Sequence, residues 1–218
     1  MDHISVRKAE RLYWLGRYAE RAYSLCGRLM GYFDRMIDQD PGAYTDFCTR
    51  MGIADRYGNQ EAFICHVISD VQDSASVAYA LCQSNDNAMV LRDELKTETS
   101  AYIQLAYNAV TRLFEDNCRV CDLQDVKDLL LAFWGAVDDF IIDDKIRSLL
   151  KAGKYTERID LYTRFDCAEA EIADAESRLR TYIARFDASP ASTEVSKVLS
   201  SQAPSAHEIN SWNIDLIQ

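Results

Sequence analysis

The sequence predicts an all-α protein, a bundle of six to eight helices arranged around one helix that the chain writes twice. Three observations carry this. Apolar residues recur at three- and four-residue spacing through most of the chain, and no stretch alternates with period two for long. Only 8 Gly and 3 Pro interrupt 218 residues, so turns are few and elements are long. The hexamer GRYAER (16–21) returns as GKYTER (153–158), 137 positions later, which implies an internal pseudo-twofold repeat.

The first helix is expected from Ser5 to about Asp38, with Leu12, Leu15, Ala19, Ala22, Cys26 and Leu29 on one face. DQDPG (38–42) stops it. A second helix covers Tyr44 to Met51, before the breaker YGNQ, and a third covers Glu61 to Ile68. Ser74 reads as the N-cap of a helix reaching Ser84 and onward to Leu95. Thr97, with Ser100 rather than Glu three places on, caps the next helix without a full capping box. That helix runs from Glu98 to about Phe114, and EDNCRVCD is a loop. Leu123 to Ile141 follows. Asp143 or Asp144 then opens a long helix to about Phe165, continuing with a kink through AEAEIADAESRLRTYIARF. After DASPAS come a short helix near 193–201 and a polar tail, expected to be mobile or held by a partner.

Composition narrows the function. The net charge of −11 argues against nucleic acid, whose phosphates call for Lys and Arg. No run of eighteen apolar residues predicts a membrane span, and MDHISVRKAE lacks the apolar core of a signal peptide, so a cytoplasmic protein is expected. Seven cysteines without an export signal are read as reduced thiols. The lone CxxC, Cys118 and Cys121, has no second ligand pair to complete a zinc site.

The duplicated phrase has a physical reading. Successive helical residues are turned by roughly 100°, so Glu20 and Arg21 cannot face each other, and neither can Glu157 and Arg158. Residues three or four apart do meet. Arg17 and Arg21 line one stripe, extended by Glu10 and Arg28 and flanked by Trp14, and Glu20 lies within reach of Arg17. In the second copy Lys154 and Arg158 take the stripe, Glu157 the flank, and Arg147 and Phe165 the outer positions. The stripe borders the apolar face, so these charges need partners. A pseudo-twofold pairing would bring Glu20 to Arg158 and Glu157 to Arg21. The result is either a buried polar network that fixes which helices pair, or an anion pocket. In the pocket Arg17, Arg21, Arg28, Arg147, Lys154 and Arg158 would hold a carboxylate or phosphate. Both readings can hold together. Tyr18 and Tyr155, at matched positions, are read as buried rings whose hydroxyls end the network.

These segments resemble the alpha-E family, bacterial all-helical proteins named for a repeated Glu-Arg motif. AERLYWLGRYAERAYSLCGRL (9–29) is similar to the family's N-terminal signature, NAMVLRDELKTETSAYIQLAYN (87–108) to its middle segment and DDKIRSLLKAGKYTERIDLYTRF (143–165) to its second Glu-Arg segment. Lys145-Ile146 stands where the family usually has Gly-Trp, and Met89 where Arg is usual. The resemblance implies an alpha-E-like domain over 1–187, with 188–218 as the short helix and tail. It also implies a neighbourhood of ATP-grasp-type ligases and transglutaminase-like proteins. The expected role is an accessory protein working with an ATP-grasp-type ligase in peptide or amide-bond synthesis. The alternative is an enzyme transferring or ligating an amino-acid or peptide unit, its Arg/Lys stripe binding the carboxylate. A protein partner is expected and no cofactor is, and a homo-oligomer stays open.

Other constellations are weaker. VDDFIIDD (137–144) places Asp139 and Asp143 at i,i+4 if the helix is continuous, a spacing that can serve Mg²⁺ with Asp144. A solvated helix junction, with an Asp at the next helix start, is favoured instead. Cys65 and His66 are adjacent and project apart, so His66 reads as an ordinary histidine. Arg92, in LRDEL, either adds to the central network or faces solvent.

Overall fold

The structure is a computed structural model that describes residues 4–115 and 118–187. The described chain is all-helical. Eight helices run in order: α1 (Val6–Asp38), α2 (Tyr44–Met51), α3 (Gln60–Ser69), α4 (Val77–Val90), α5 (Arg92–Glu115), α6 (Leu123–Phe140), α7 (Asp144–Arg164) and α8 (Glu169–Asp187). A 3-10 turn, Val120–Asp122, precedes α6. The short helix expected near 193–201 and the tail lie outside the described residues.

Local chemistry sets the ends. Ser5 caps α1, its hydroxyl accepting from Lys8 N. Asp143 caps α7 by accepting from Lys145 N at 2.8 Å. Gly52, at φ 68, closes α2 in the left-handed conformation. The cap expected at Ser74 sits at Ser76, whose hydroxyl accepts from Tyr79 N at 2.9 Å. Ser74 is instead inside a turn in which Asp73 accepts from Ala75 N and Ser76 N. The helix expected to reach Leu95 ends at Val90, and the next break is at Lys96 (φ 65, ψ 157). Ala88, Leu91 and Leu95 are all buried, so the apolar period runs straight through the bend and gave no sign of it. A break also parts α7 from α8, with Asp166 at φ 48.

One core gathers side chains from α1 to α7 and Phe186 of α8, with Phe47, Phe63 and Phe133 among its largest fully buried members. Helix α8 lies along α7, where Ala175 packs on Tyr155 and Ile159. The most extensive helix pairing is that of α1 with α7, the two copies of the repeat. Glycine makes it that close. A Cβ on Gly16 would fall far inside the van der Waals envelope of the Leu150 carbonyl oxygen, and one on Gly153 would do the same at the Tyr13 carbonyl. The contacts are reciprocal: each glycine meets the residue three before its own counterpart, as a twofold axis between the helices requires.

The thiol reading is corrected in one place. Cys65 on α3 and Cys118, just before the 3-10 turn, are joined as a disulfide with Cα atoms 5.3 Å apart. They are 53 residues apart in sequence, and the packing of α3 against α5 brings them together. The CxxC is thus divided, with Cys118 bonded and Cys121 free and exposed.

Candidate functional site

The glycine contact lets side chains one turn further along cross from helix to helix. Glu157 on α7 is fully buried. Its Oε2 accepts from Arg17 Nε at 2.8 Å and its Oε1 from Arg21 Nε at 2.5 Å. Glu20 on α1 is equally buried, and its Oε1 accepts from Arg158 Nε at 2.7 Å and from the Ser24 hydroxyl at 3.4 Å. The crossed pairs that the repeat implied, Glu20 with Arg158 and Glu157 with Arg21, are present. Arg17, expected near Glu20, crosses instead to Glu157.

The tyrosines take another part than expected. Arg21 lies over the Tyr18 ring (5.8 Å) and Arg158 over the matched Tyr155 ring (5.4 Å), so the ring faces, more than the hydroxyls, cover the cations. Arg17 lies over Trp14 at 4.9 Å. The buried Tyr13 hydroxyl, beside Arg17 and Thr156, makes no hydrogen bond of normal geometry.

The repeat breaks at the counterpart of Arg17. That position holds Lys154, whose Nζ lies 4.2 Å from the centroid of the Trp134 ring on α6 and is in no ion pair among the described residues. Glu20 Oε2 is left buried without a hydrogen-bond partner among the described residues. Protonation follows the geometry. Burial tends to raise the Glu157 carboxyl, but Arg21 and Arg17 overcome it and hold the group at about 2. At Glu20 burial wins over Arg158 and Lys154, and the carboxyl is pushed up. Burial also pushes the Lys154 ammonium down to about 7, against the pull of Glu20. One half of the centre is a closed ion cluster, and the other holds a carboxyl and an amine whose charged forms burial disfavours.

Of the candidate residues, Arg17, Glu20, Arg21, Lys154, Glu157 and Arg158 converge at this centre. The other four lie elsewhere. Arg28 donates to Cys167 Sγ at 2.6 Å and covers Phe165. Arg147 pairs with Asp144 and donates to the Ile141 carbonyl. Arg92 is 80% exposed, with Asp93 at 3.9 Å. Glu10 is on the surface, in no ion pair among the described residues. The acidic run does not gather either. Helix α6 ends at Phe140, so Asp139 and Asp143 do not share a continuous helix; Asp143 is a cap and Asp144 pairs with Arg147. Among the described residues no group of three or more His, Cys, Asp or Glu could hold a metal ion. His66 is more than an ordinary histidine: its Nε2 lies 2.9 Å from Asp73 and its Nδ1 3.4 Å from Asp70.

Sequence reasoning missed Trp134 and Lys151. Lys151, buried, donates to Asp138 at 2.8 Å and lies over the same Trp134 ring (5.2 Å). Its spacing, three before Lys154, was the available sign. The centre meets water through Arg158, which lines an open groove of about 300 Å³ between α7 and α8 with Tyr162, Glu171 and Asp174.

Residues 4–201, nearly all of the chain, match a family model described as Alpha-E, a predicted alpha-helical domain with a conserved ER motif. The chain belongs to the alpha-E family. Of the three Glu-Arg steps in this alpha-E chain, Glu10-Arg11, Glu20-Arg21 and Glu157-Arg158, the latter two are the residues that cross between α1 and α7. No curated protein and no solved structure matches it. No described helix is long and apolar enough to cross a membrane.

Proposed function

We propose that this alpha-E protein is an accessory, non-catalytic partner of an ATP-grasp-type ligase, acting in bacterial peptide or amide-bond synthesis or modification in the cytoplasm. One observation supports it above others. The cations of the Glu-Arg core are spent on the protein's own carboxylates, Arg17 and Arg21 on Glu157 and Arg158 on Glu20. A guanidinium that neutralises a fully buried glutamate is not free to hold a substrate. Its removal would strand a charge in the interior at a cost of about 3–5 kcal/mol. The core then serves to fix the α1–α7 pair, and the work falls to the surface that this pair holds in shape. A transglutaminase-like protein is the other partner class that the family resemblance implies.

The test is reconstitution. Purified protein added to an ATP-grasp-type ligase from the same organism is expected to raise ATP-dependent amide formation at least tenfold, and to make no product alone. A ligase equally fast without it contradicts the proposal.

The enzyme reading keeps one specific support, the Lys154–Glu20 half of the core. A buried amine titrating near 7 beside a carboxyl with a free oxygen has the properties of a general base or nucleophile. Product formed by the protein alone, and lost in Lys154→Met without loss of folding, would favour it.

A further inference from the structure

Every arginine in the middle and end of α1 has its charge engaged. Arg17 and Arg21 serve Glu157, Arg35 approaches Asp46 at 3.3 Å, and Arg28 sits on Cys167 and Phe165. The first turns of the same helix differ. Arg7 and Arg11 have no carboxylate partner among the described residues, and both line an open groove of about 340 Å³ between α1 and α4. That volume is within the range of small-molecule sites.

The groove is organised. Arg7, Arg11, Trp14 and Tyr18 follow one another at i, i+4, i+7 and i+11, a single stripe of α1. Trp14 is held from three sides, by Tyr18 (5.5 Å between centroids), by the edge of Tyr13 (6.1 Å) and by Arg17 (4.9 Å). Arg11 is aimed from the opposite wall, since its Nη1 donates to Asn87 Oδ1 at 3.2 Å. Asn87 is fixed in turn by donating to the Gln83 carbonyl at 3.0 Å. Two guanidiniums face one carboxylate, Glu10, so the groove is locally positive on a chain of net charge −11. Its walls also join two family-like segments, the N-terminal signature on α1 and the Asn87 that opens the middle segment.

We propose that the α1–α4 groove binds a small organic anion with a flat ring, its carboxylate or phosphate on Arg7 and Arg11 and its ring against Trp14. Arginine's planar fork suits either anion, and an indole face suits any flat ring. An aromatic carboxylate and a nucleoside phosphate share this chemistry. Glu10, on the flank, accepts from a ligand hydroxyl or amine and disfavours a second negative charge there. The site is separated from Glu157 by Arg17 and Arg21, which lie over Trp14 and Tyr18, and it does not depend on the accessory role.

The full chain, labelled with ¹⁵N, provides the test, with the Trp14 indole signal assigned through Trp14→Phe. The probes are adenosine monophosphate and N-acetyl-L-phenylalanine, each beside its neutral counterpart, adenosine and N-acetyl-L-phenylalanine amide. At least one anion is expected to move the Trp14 signal saturably, and its neutral counterpart to bind at least tenfold more weakly. Which anion binds identifies the source. Arg7→Ala, at an exposed residue in no described ion pair, is expected to weaken binding at least tenfold with an unchanged melting temperature. Three results would each overturn the proposal: no saturable shift up to about 10 mM of either anion, equal binding of the neutral compounds, or an Arg7→Ala variant that binds like the parent.

Discussion

Around Glu157 both carboxylate oxygens are taken, by Arg17 and Arg21, whereas around Glu20 one oxygen meets Arg158 and the other meets no donor among the described residues. The two glutamates hold matched positions in matched helices, and both are fully buried. Their backbones are equivalent too, because each helix presses a glycine against a carbonyl of the other. The difference lies in one side chain. Arg17 extends a planar fork to Glu157, while its counterpart Lys154 carries a point charge that rests on Trp134. A twofold scaffold and an asymmetric centre coexist here, and the backbone and the side chains can be tested separately.

The largest effect is expected where the halves are alike. Gly16→Ala and Gly153→Ala should each cost more than about 4 kcal/mol in denaturant unfolding, by similar amounts, because a backbone carbonyl cannot rotate out of the way. A mild loss in either would break the reciprocal packing. The next effect separates the halves. Glu157→Gln leaves two half-buried guanidiniums short of a counter-charge and should cost about 3 kcal/mol. Glu20→Gln keeps an oxygen for Arg158 and removes a carboxyl that burial already disfavours, so about 1 kcal/mol is expected. Equal losses would mean that the centre is symmetric after all.

How much of this could be read from the residues follows from the same split. The repeat alone implies a twofold, and a twofold dictates the partners, so Glu20–Arg158 and Glu157–Arg21 were legible in the hexamers. The glycines within those hexamers were visible, but their role was not, since a close helix approach is a property of two helices at once. Trp134 was illegible because the repeat does not include α6, and no local pattern ties that ring to Lys154 and Lys151. The Cys65–Cys118 bond escaped for another reason. Parity and the expected compartment bear on redox state, and neither reports which thiols the fold brings within reach. Arg28 and Arg147 share the stripe's chemistry but lie beyond the glycine contact, where the helices no longer force charges across the seam, and Arg92 is on α5, outside the α1–α7 pair.

The asymmetry also has a signature in pH. Folding lowers the Lys154 ammonium to about 7 from its ordinary value near 10.5, so above 7 the folded chain has released a proton that the unfolded chain still holds. Stability contributed through Lys154 must therefore rise as pH climbs from 7 toward 10. Glu157 acts at the other end: its depressed carboxyl stabilises the fold above the ordinary carboxylate range, and that contribution is lost as pH falls through about 2. Parent and Lys154→Met, unfolded by denaturant at pH 7, 8.5 and 10, should diverge, the parent gaining stability relative to the variant as pH rises. Parallel curves would place Lys154 in water.

The smallest effect is the most pointed, because it seeks to repair the difference. Lys154→Arg places at the second half the group that the first half already uses. If Glu20 Oε2 lacks only a donor, the new guanidinium should supply it, and unfolding should become harder by about 1 kcal/mol, the worth of one added hydrogen bond. The gain should vanish in the Glu20→Gln background, since the amide nitrogen would face the guanidinium. A loss of similar size instead would show that Trp134 and Lys151 leave no room for a fork, and that the fold selects the lysine for its seat on the ring. The sign of that one substitution thus distinguishes an imperfect copy of the Glu157 cluster from a centre built to keep a neutral amine beside an acid.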